Sequence, residues 1–162
     1  ATLEIMYELT SGWNLIGVPF QPVGAGLSDL LKISGVDSIW HYDPSNQWRY
    51  SLVDQPSIST LSRLEAGKGY WVRVQENVGQ AKFLLKGNEM TSVPSITAGW
   101  NLIGIANSAL SPQQLLSDNA GHSLWGWNGE NKVWLSNVSD VPEFLNSLNQ
   151  LQPHEGYYIY AE

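Results

Sequence analysis

Leu9-Thr-Ser-Gly-Trp-Asn-Leu-Ile-Gly17 returns 87 residues later as Ile96-Thr-Ala-Gly-Trp-Asn-Leu-Ile-Gly104. At the same offset Leu64-Glu-Ala-Gly-Lys-Gly-Tyr-Trp-Val72 returns as Leu151-Gln-Pro-His-Glu-Gly-Tyr-Tyr-Ile159. In an internal duplication, residues kept by both copies serve the common fold and residues that differ are free to differ in function. Each copy opens on an apolar, β-branched run with Gly on either side, Leu9 to Phe20 and Ile96 to Ile105, the pattern of a strand. The Gly-Trp-Asn in each is expected to form a turn or bulge leading into a buried Leu-Ile strand. The reading is a mainly β fold (β-rich α+β): an internally duplicated, pseudo-two-fold, compact β-sandwich or barrel with short helices. Residues 1–162 are expected to form one domain from two repeats, about 1–86 and 87–162.

Further along each copy the signals stay parallel. Ser111-Pro112 fits a helix N-cap with Pro in the first turn, ahead of Leu115 and Leu116; the matching Gly26-Leu-Ser-Asp-Leu-Leu-Lys-Ile33 stretch stops at Gly35. A hairpin follows, Ser38 to Tyr42, a turn over Asp43-Pro-Ser-Asn-Gln47, then Trp48-Arg-Tyr50. Its counterpart is Ser123 to Trp127, a turn over Asn128-Gly-Glu-Asn-Lys132, then Val133-Trp-Leu135. The segment before each closing strand is variable: Pro142-Glu-Phe-Leu-Asn-Ser-Leu148 has a helical look, Ser57 to Leu64 is less decided. Between the copies, Ala81 to Gly87 reads as a strand whose partner is Leu3 to Leu9. The connection from Asn88 to Pro94 is short.

Of the 162 residues 43% are hydrophobic and 14% charged, and 8 Trp and 7 Tyr stand against 3 Phe, the composition of a folded, aromatic-rich chain. With no Cys there are no disulfides and no thiolate metal sites. No apolar run approaches the roughly 20 residues a spanning helix needs, so membrane insertion is not expected. The sequence begins at Ala1 without a signal-peptide pattern, which suits a processed mature protein or a domain of a longer one. The net charge of −7 is uneven: residues 1–86 carry 7 Lys/Arg and 8 Asp/Glu, residues 87–162 carry 1 and 7. Lys132 alone cannot provide the basic footprint that phosphate neutralisation requires, so nucleic acid is an unsuitable partner.

The order Gly-Trp-Asn-Leu-Ile-Gly, a Trp/Tyr-rich hairpin, then Leu-Glu-x-Gly-Lys-Gly-Tyr-Trp-Val resembles a repeat of the non-catalytic regions of large secreted and cell-surface proteins of bacteria and archaea. There it often sits beside polysaccharide-degrading, adhesive or cell-wall-anchoring modules. The resemblance covers Leu9 to Val74 and Ile96 to Tyr160; the second copy departs from it with His154-Glu155 in place of Gly67-Lys68. It implies an extracellular or cell-surface location within a larger multidomain protein, a binding or architectural role akin to that of carbohydrate-binding modules, and no catalytic residues.

The aromatic hairpins are the functional candidates. In a strand alternate side chains share a face, so Trp40 and Tyr42 point one way, as do Trp125 and Trp127, with Trp48, Tyr50 and Trp134 on the facing strands. Flat rings stack on the C–H faces of sugars, while Asp43, Asn46, Gln47, Asn128, Glu130 and Asn131 in the turns, with Arg49, can hydrogen-bond hydroxyls. Against this stands core packing, the preferred reading for Trp40 and Trp125 and, more firmly, for Trp13, Trp100, Tyr70 and Tyr157 in the most faithfully repeated segments. Trp71 and its match Tyr158 suit either face. The expected ligand set is Trp48, Trp134, Trp127, Tyr42, Asp43, Asn46, Asn128, Glu130, Asn131 and Arg49. The partner is a polysaccharide, neutral by preference because the chain is acidic; an anionic glycan is the variant suggested by Arg49, Arg63, Lys68 and Arg73 in the first copy, though these also read as a solvated surface balancing Glu65 and Glu76.

Enzyme readings find little support. Gly121-His-Ser-Leu-Trp-Gly126 lacks the G-x-S-x-G spacing of a nucleophile elbow, and His41, His122 and His154 have no His counterparts in the other copy, so no triad or zinc site is indicated. The oxygen-rich stretches Asn128 to Asn131 and Asn137 to Asp140 lack an EF-hand pattern and read as turns, and no metal or cofactor is expected. The expectation is a non-catalytic, extracellular carbohydrate-binding module; the alternative is a structural or adhesion module making protein contacts.

Overall fold

The structure, a computed structural model, describes residues 2–24, 26–45, 47–90, 95–106 and 108–162. It is mainly β, with three antiparallel sheets and two short α-helices among the described residues. The first sheet joins β1 (Thr2–Thr10), β7 (Gln80–Glu89) and β3 (Phe20–Pro22) in the order β1-β7-β3, with Leu3 opposite Gly87 and Leu9 opposite Ala81. Strict alternation sets its inner face: Ala81, Phe83 and Leu85 are buried while Lys82, Leu84 and Lys86 point away.

That face packs on a four-stranded sheet of β2 (Gly12–Gly17), β4 (Val36–Asp43), β5 (Gln47–Leu52) and β6 (Gly69–Val74), ordered β2-β6-β4-β5. Between them Tyr7, Leu9, Ile16, Val18, Phe20, Ile39, Tyr70, Val72, Val74 and Phe83 form one core, closed at the side by Leu27 and Leu30 of α1 (Gly26–Leu31). The first half is therefore a sandwich.

The second half contains β8 (Gly99–Gly104), β9 (Gly121–Asn128), β10 (Val133–Val138) and β11 (Gly156–Ala161), ordered β10-β9-β11-β8, the strand order of the other four-stranded sheet. Here no second sheet covers the inner face among the described residues. Leu115 and Leu116 of α2 (Pro112–Asp118), together with Leu148 and Leu151, pack on Ile103, Leu124, Tyr157 and Ile159. Ser111 caps α2 as its sequence predicts, its hydroxyl accepting the Gln114 N–H at 3.1 Å. The helical look of Pro142 to Leu148 is not realised: only Glu143–Leu145 makes a 3₁₀ turn, like Pro56–Ile58 in the first half. Of the sandwich and barrel alternatives, no closed barrel forms among the described residues.

The halves meet through their repeated glycines. The Gly17 N–H donates to the His154 carbonyl (3.2 Å) and the Gly104 N–H to the Gly67 carbonyl (3.0 Å), a reciprocal exchange of the kind a two-fold axis produces. A Cβ on Gly17 would lie 2.3 Å from the Glu155 carbonyl oxygen, and one on Gly104 would lie 3.0 Å from Gly17 Cα, so only glycine permits the approach. Leu15 reaches towards Gly156 and Leu102 towards Gly69, which buries both leucines at the junction.

Candidate functional site

Each four-stranded sheet has one face on its core, and aromatic side chains predominate on the other, beside Leu15 and Arg73 in the first sheet and Leu102 in the second. The register places Trp40 opposite Tyr50 and Trp71, Tyr42 opposite Trp48, Trp134 opposite Trp127, and Tyr158 opposite Trp125. Across the junction the two aromatic faces touch. The Trp71 Nε1–H donates to the Tyr158 hydroxyl at 2.7 Å, and the Trp71 ring lies 6.0 Å from Trp127 and 5.8 Å from Trp134.

Two open clefts result. One, of about 500 Å³, is walled by Trp13, Trp40, Trp48, Trp71, Trp127 and Trp134. The other, of about 470 Å³, is walled by Tyr42, Trp48, Trp100, Trp125, Trp134 and Tyr158. Exchanging each residue for its counterpart in the other half turns one lining into the other, and Trp48 and Trp134 belong to both. Ring geometry repeats as well. Tyr42 and Trp48 lie at 5.3 Å and 65°, Trp127 and Trp134 at 5.2 Å and 65°; Trp13 and Trp71 lie at 6.1 Å and 85°, Trp100 and Tyr158 at 6.3 Å and 87°. The rim rings are open to solvent: Trp48 and Trp134 are each 47% exposed, Trp100 44% and Trp13 39%.

Several sequence expectations need correction here. Trp13 and Trp100, read as structural, are rim residues. Gly12-Trp-Asn and Gly99-Trp-Asn lie within the strands β2 and β8, and their alternation buries Asn14 and Asn101 while turning the tryptophans outward. The asparagines are what this motif needs for folding. Asn14 Oδ1 accepts the Thr10 N–H (2.9 Å) and its Nδ2 donates to the Thr10 carbonyl (2.8 Å); Asn101 does the same with Thr97 at 3.0 and 2.8 Å. Trp40 and Trp125, read as core, are partly buried cleft walls. Tyr70 and Tyr157 are fully buried, as a structural role requires.

Among the described residues, the polar members of the expected ligand set, Asp43, Arg49, Asn128, Glu130 and Asn131, do not line either cleft. Asp43 Oδ1 accepts the Ser45 N–H and hydroxyl, both at 2.9 Å, and Oδ2 accepts Arg49 Nε–H at 3.1 Å. The Ser45 amide and Arg49 hold the Asp43 carboxyl down at about 2, so it stays ionised and bound to its own turn. Asn128 Oδ1 accepts the N–H groups of Glu130 and Asn131, at 3.1 and 3.0 Å, and closes the other hairpin. Asn128 and Glu130 border a separate polar groove with Glu8, Gln80, His154 and Glu155, and Asn131 is an exposed turn residue. Asn46 lies outside the described residues. The four basic residues that suggested an anionic glycan are all in ion pairs: Arg49 with Asp43, Arg63 with Glu65 (2.8 Å), Lys68 with Glu65, and Arg73 with Asp37.

The hairpin of the second half clasps residues 10–13, where β1 passes into β2. Trp127 Nε1–H donates to the Trp13 carbonyl (3.0 Å), the Thr10 hydroxyl to the Gly129 carbonyl (3.2 Å), and the Lys132 ammonium to the Ser11 carbonyl. No helix among the described residues is long and apolar enough to cross a membrane. Compared with known proteins, the chain matches no family model, no curated protein sequence and no solved structure.

Proposed function

We propose that this protein is a non-catalytic binding module of an extracellular or cell-surface protein, and that its aromatic clefts hold a polysaccharide without dense negative charge. The supporting observation is the pair of equivalent clefts whose rims present Trp13, Trp48, Trp100 and Trp134 to solvent. A contiguous apolar surface of this kind gains free energy when a ligand covers it, and indole faces suit the C–H faces of pyranose rings. The ion-paired state of Arg49, Arg63, Lys68 and Arg73 argues against an anionic glycan, since each cation already has its carboxylate. A catalytic role draws no support from the carboxylates near the hairpins: Asp43 and Glu65 are held ionised, Glu65 chiefly by Lys68, whereas a general acid needs a raised pKa.

A second reading, an adhesion module making protein contacts, draws on a different patch, Phe144 at 84% exposure beside exposed Leu145. Affinity electrophoresis of the intact chain against neutral and anionic polysaccharides separates the two. Retardation by a neutral polymer, reduced in a folded Trp48→Ala variant and unaffected by Phe144→Ser, is the expected result. Retardation by none of the polymers, with cationically substituted ones added to the panel, would overturn the glycan reading.

A further inference from the structure

The clefts differ in shape and chemistry from a flat stacking platform. Their walls meet near right angles, with Trp13 against Trp71 at 85°, Trp71 against Trp134 at 84° and Trp100 against Tyr158 at 87°. Only aromatic side chains line them among the described residues. In the first cleft the indole donors of Trp40, Trp71 and Trp127 are already spent on the Ser38 hydroxyl, the Tyr158 hydroxyl and the Trp13 carbonyl, whereas in the second the Trp125 Nε1–H is buried without a partner. Indole is a donor only, so the six tryptophans of the first cleft offer a sugar hydroxyl no side-chain acceptor, and a hydroxyl turned towards these walls would give up a hydrogen bond to water.

A quaternary ammonium group has the opposite requirements. It is globular, carries a skin of methyl groups, needs no hydrogen bond, and is attracted to the negative faces of several aromatic rings at once, each within about 6 Å of the charge. Charge does not oppose it: the chain carries −7 overall, no Lys or Arg lines either cleft among the described residues, Arg73, opposite Trp13 on the neighbouring strand, is paired with Asp37, and the Lys132 ammonium beside Gly12 donates to the Ser11 carbonyl. We infer that each cleft binds a quaternary ammonium substituent, and that the polymer held by this module is a glycan bearing such groups. The inference rests on the reading of the clefts as polymer-binding, and it assigns the rim indoles to the sugar backbone and the box to the cationic substituent.

Tryptophan fluorescence titrations with choline and with its neutral isostere 3,3-dimethylbutan-1-ol test the box itself. Choline should bind at least about tenfold more tightly than the isostere, and Trp13→Leu, at an exposed rim where folding is little disturbed, should weaken the choline affinity of one cleft while sparing the other. Equal affinity for the two compounds, or no saturation by choline, would overturn the inference. Affinity electrophoresis then separates the two proposals. Retardation by a choline-substituted polysaccharide that free choline abolishes supports both. Retardation by an unsubstituted polymer that choline leaves unchanged sinks the cation site and keeps the glycan module. Tight choline binding with no retardation by any polymer, or co-sedimentation with phosphatidylcholine vesicles, would refute a glycan as the carrier.

Discussion

His41 sits on the inner face of the first four-stranded sheet, 3% exposed, with Nδ1 2.8 Å from the Gly69 carbonyl and its ring 5.2 Å from that of Tyr70. Its Nε2 is buried without a hydrogen-bond partner, so protonation there would create an unsolvated cation. Burial accordingly lowers its pKa, with Lys68 adding to the effect against the opposing Gly69 carbonyl, Asp43 and Glu65. The unfolded chain then takes up a proton near 6.5, above the folded pKa. Stability is complete above that value and declines as pH falls, by up to about 1.4 kcal/mol per pH unit. Urea unfolding at pH 8, 6.5 and 5 should show this decline, and His41→Gln should reduce it; an equal decline in the variant would refute the assignment. Tyr158 makes a second prediction at this scale. Its hydroxyl accepts the Trp71 indole N–H that ties the two aromatic faces, so Tyr158→Phe should cost about 1 kcal/mol in chemical denaturation, with a shift in tryptophan emission. An unchanged midpoint would show that the bond contributes nothing.

Among the elements, the strand ends matter most. Gly17 and Gly104 close β2 and β8 where the halves exchange backbone hydrogen bonds, and a methyl group on either would press on backbone atoms that cannot move aside. Gly104→Ala should destabilise the protein by about 2 kcal/mol or more and open the clefts by separating the halves. Ser111→Ala, which removes only a helix cap, should cost about 1 kcal/mol and leave ligand binding intact. Denaturation paired with a binding assay distinguishes them, and equal binding losses in both variants would contradict the role given to the glycine junction. The sequence carried these elements well where local chemistry decides: the Ser-Pro cap, the period-two run pairing Leu3 to Leu9 with Ala81 to Gly87, and the Asp43 and Asn128 turns. It failed over Pro142 to Leu148, where a helical pattern loses to the packing of Leu148 under the sheet and to a carbonyl of Ser136 that takes the Ser147 and Leu148 N–H groups.

For the whole molecule, the shared rims change how variants report. Trp48 and Trp134 belong to both clefts, so Trp48→Ala or Trp134→Ala should weaken both, whereas Trp13→Ala should affect one and Trp100→Ala the other. Binding stoichiometry by calorimetry checks this: about one site should remain after either outer substitution, and loss of all binding from Trp13→Ala alone would show that the clefts are not separable. By itself the sequence determined the β-rich class, the two matching sets of elements and the candidacy of Trp48, Trp127, Trp134 and Tyr42, because alternation, capping and turn chemistry act over a few residues. It also singled out the repeated glycines without saying why they recur. Only the tertiary structure decided that Trp13 and Trp100 face solvent and that the polar turn residues serve their own hairpins. The pairing of the two aromatic faces into boxes was likewise decided there, because which face of a strand meets a second sheet depends on how glycine-lined backbones approach across 87 residues of chain.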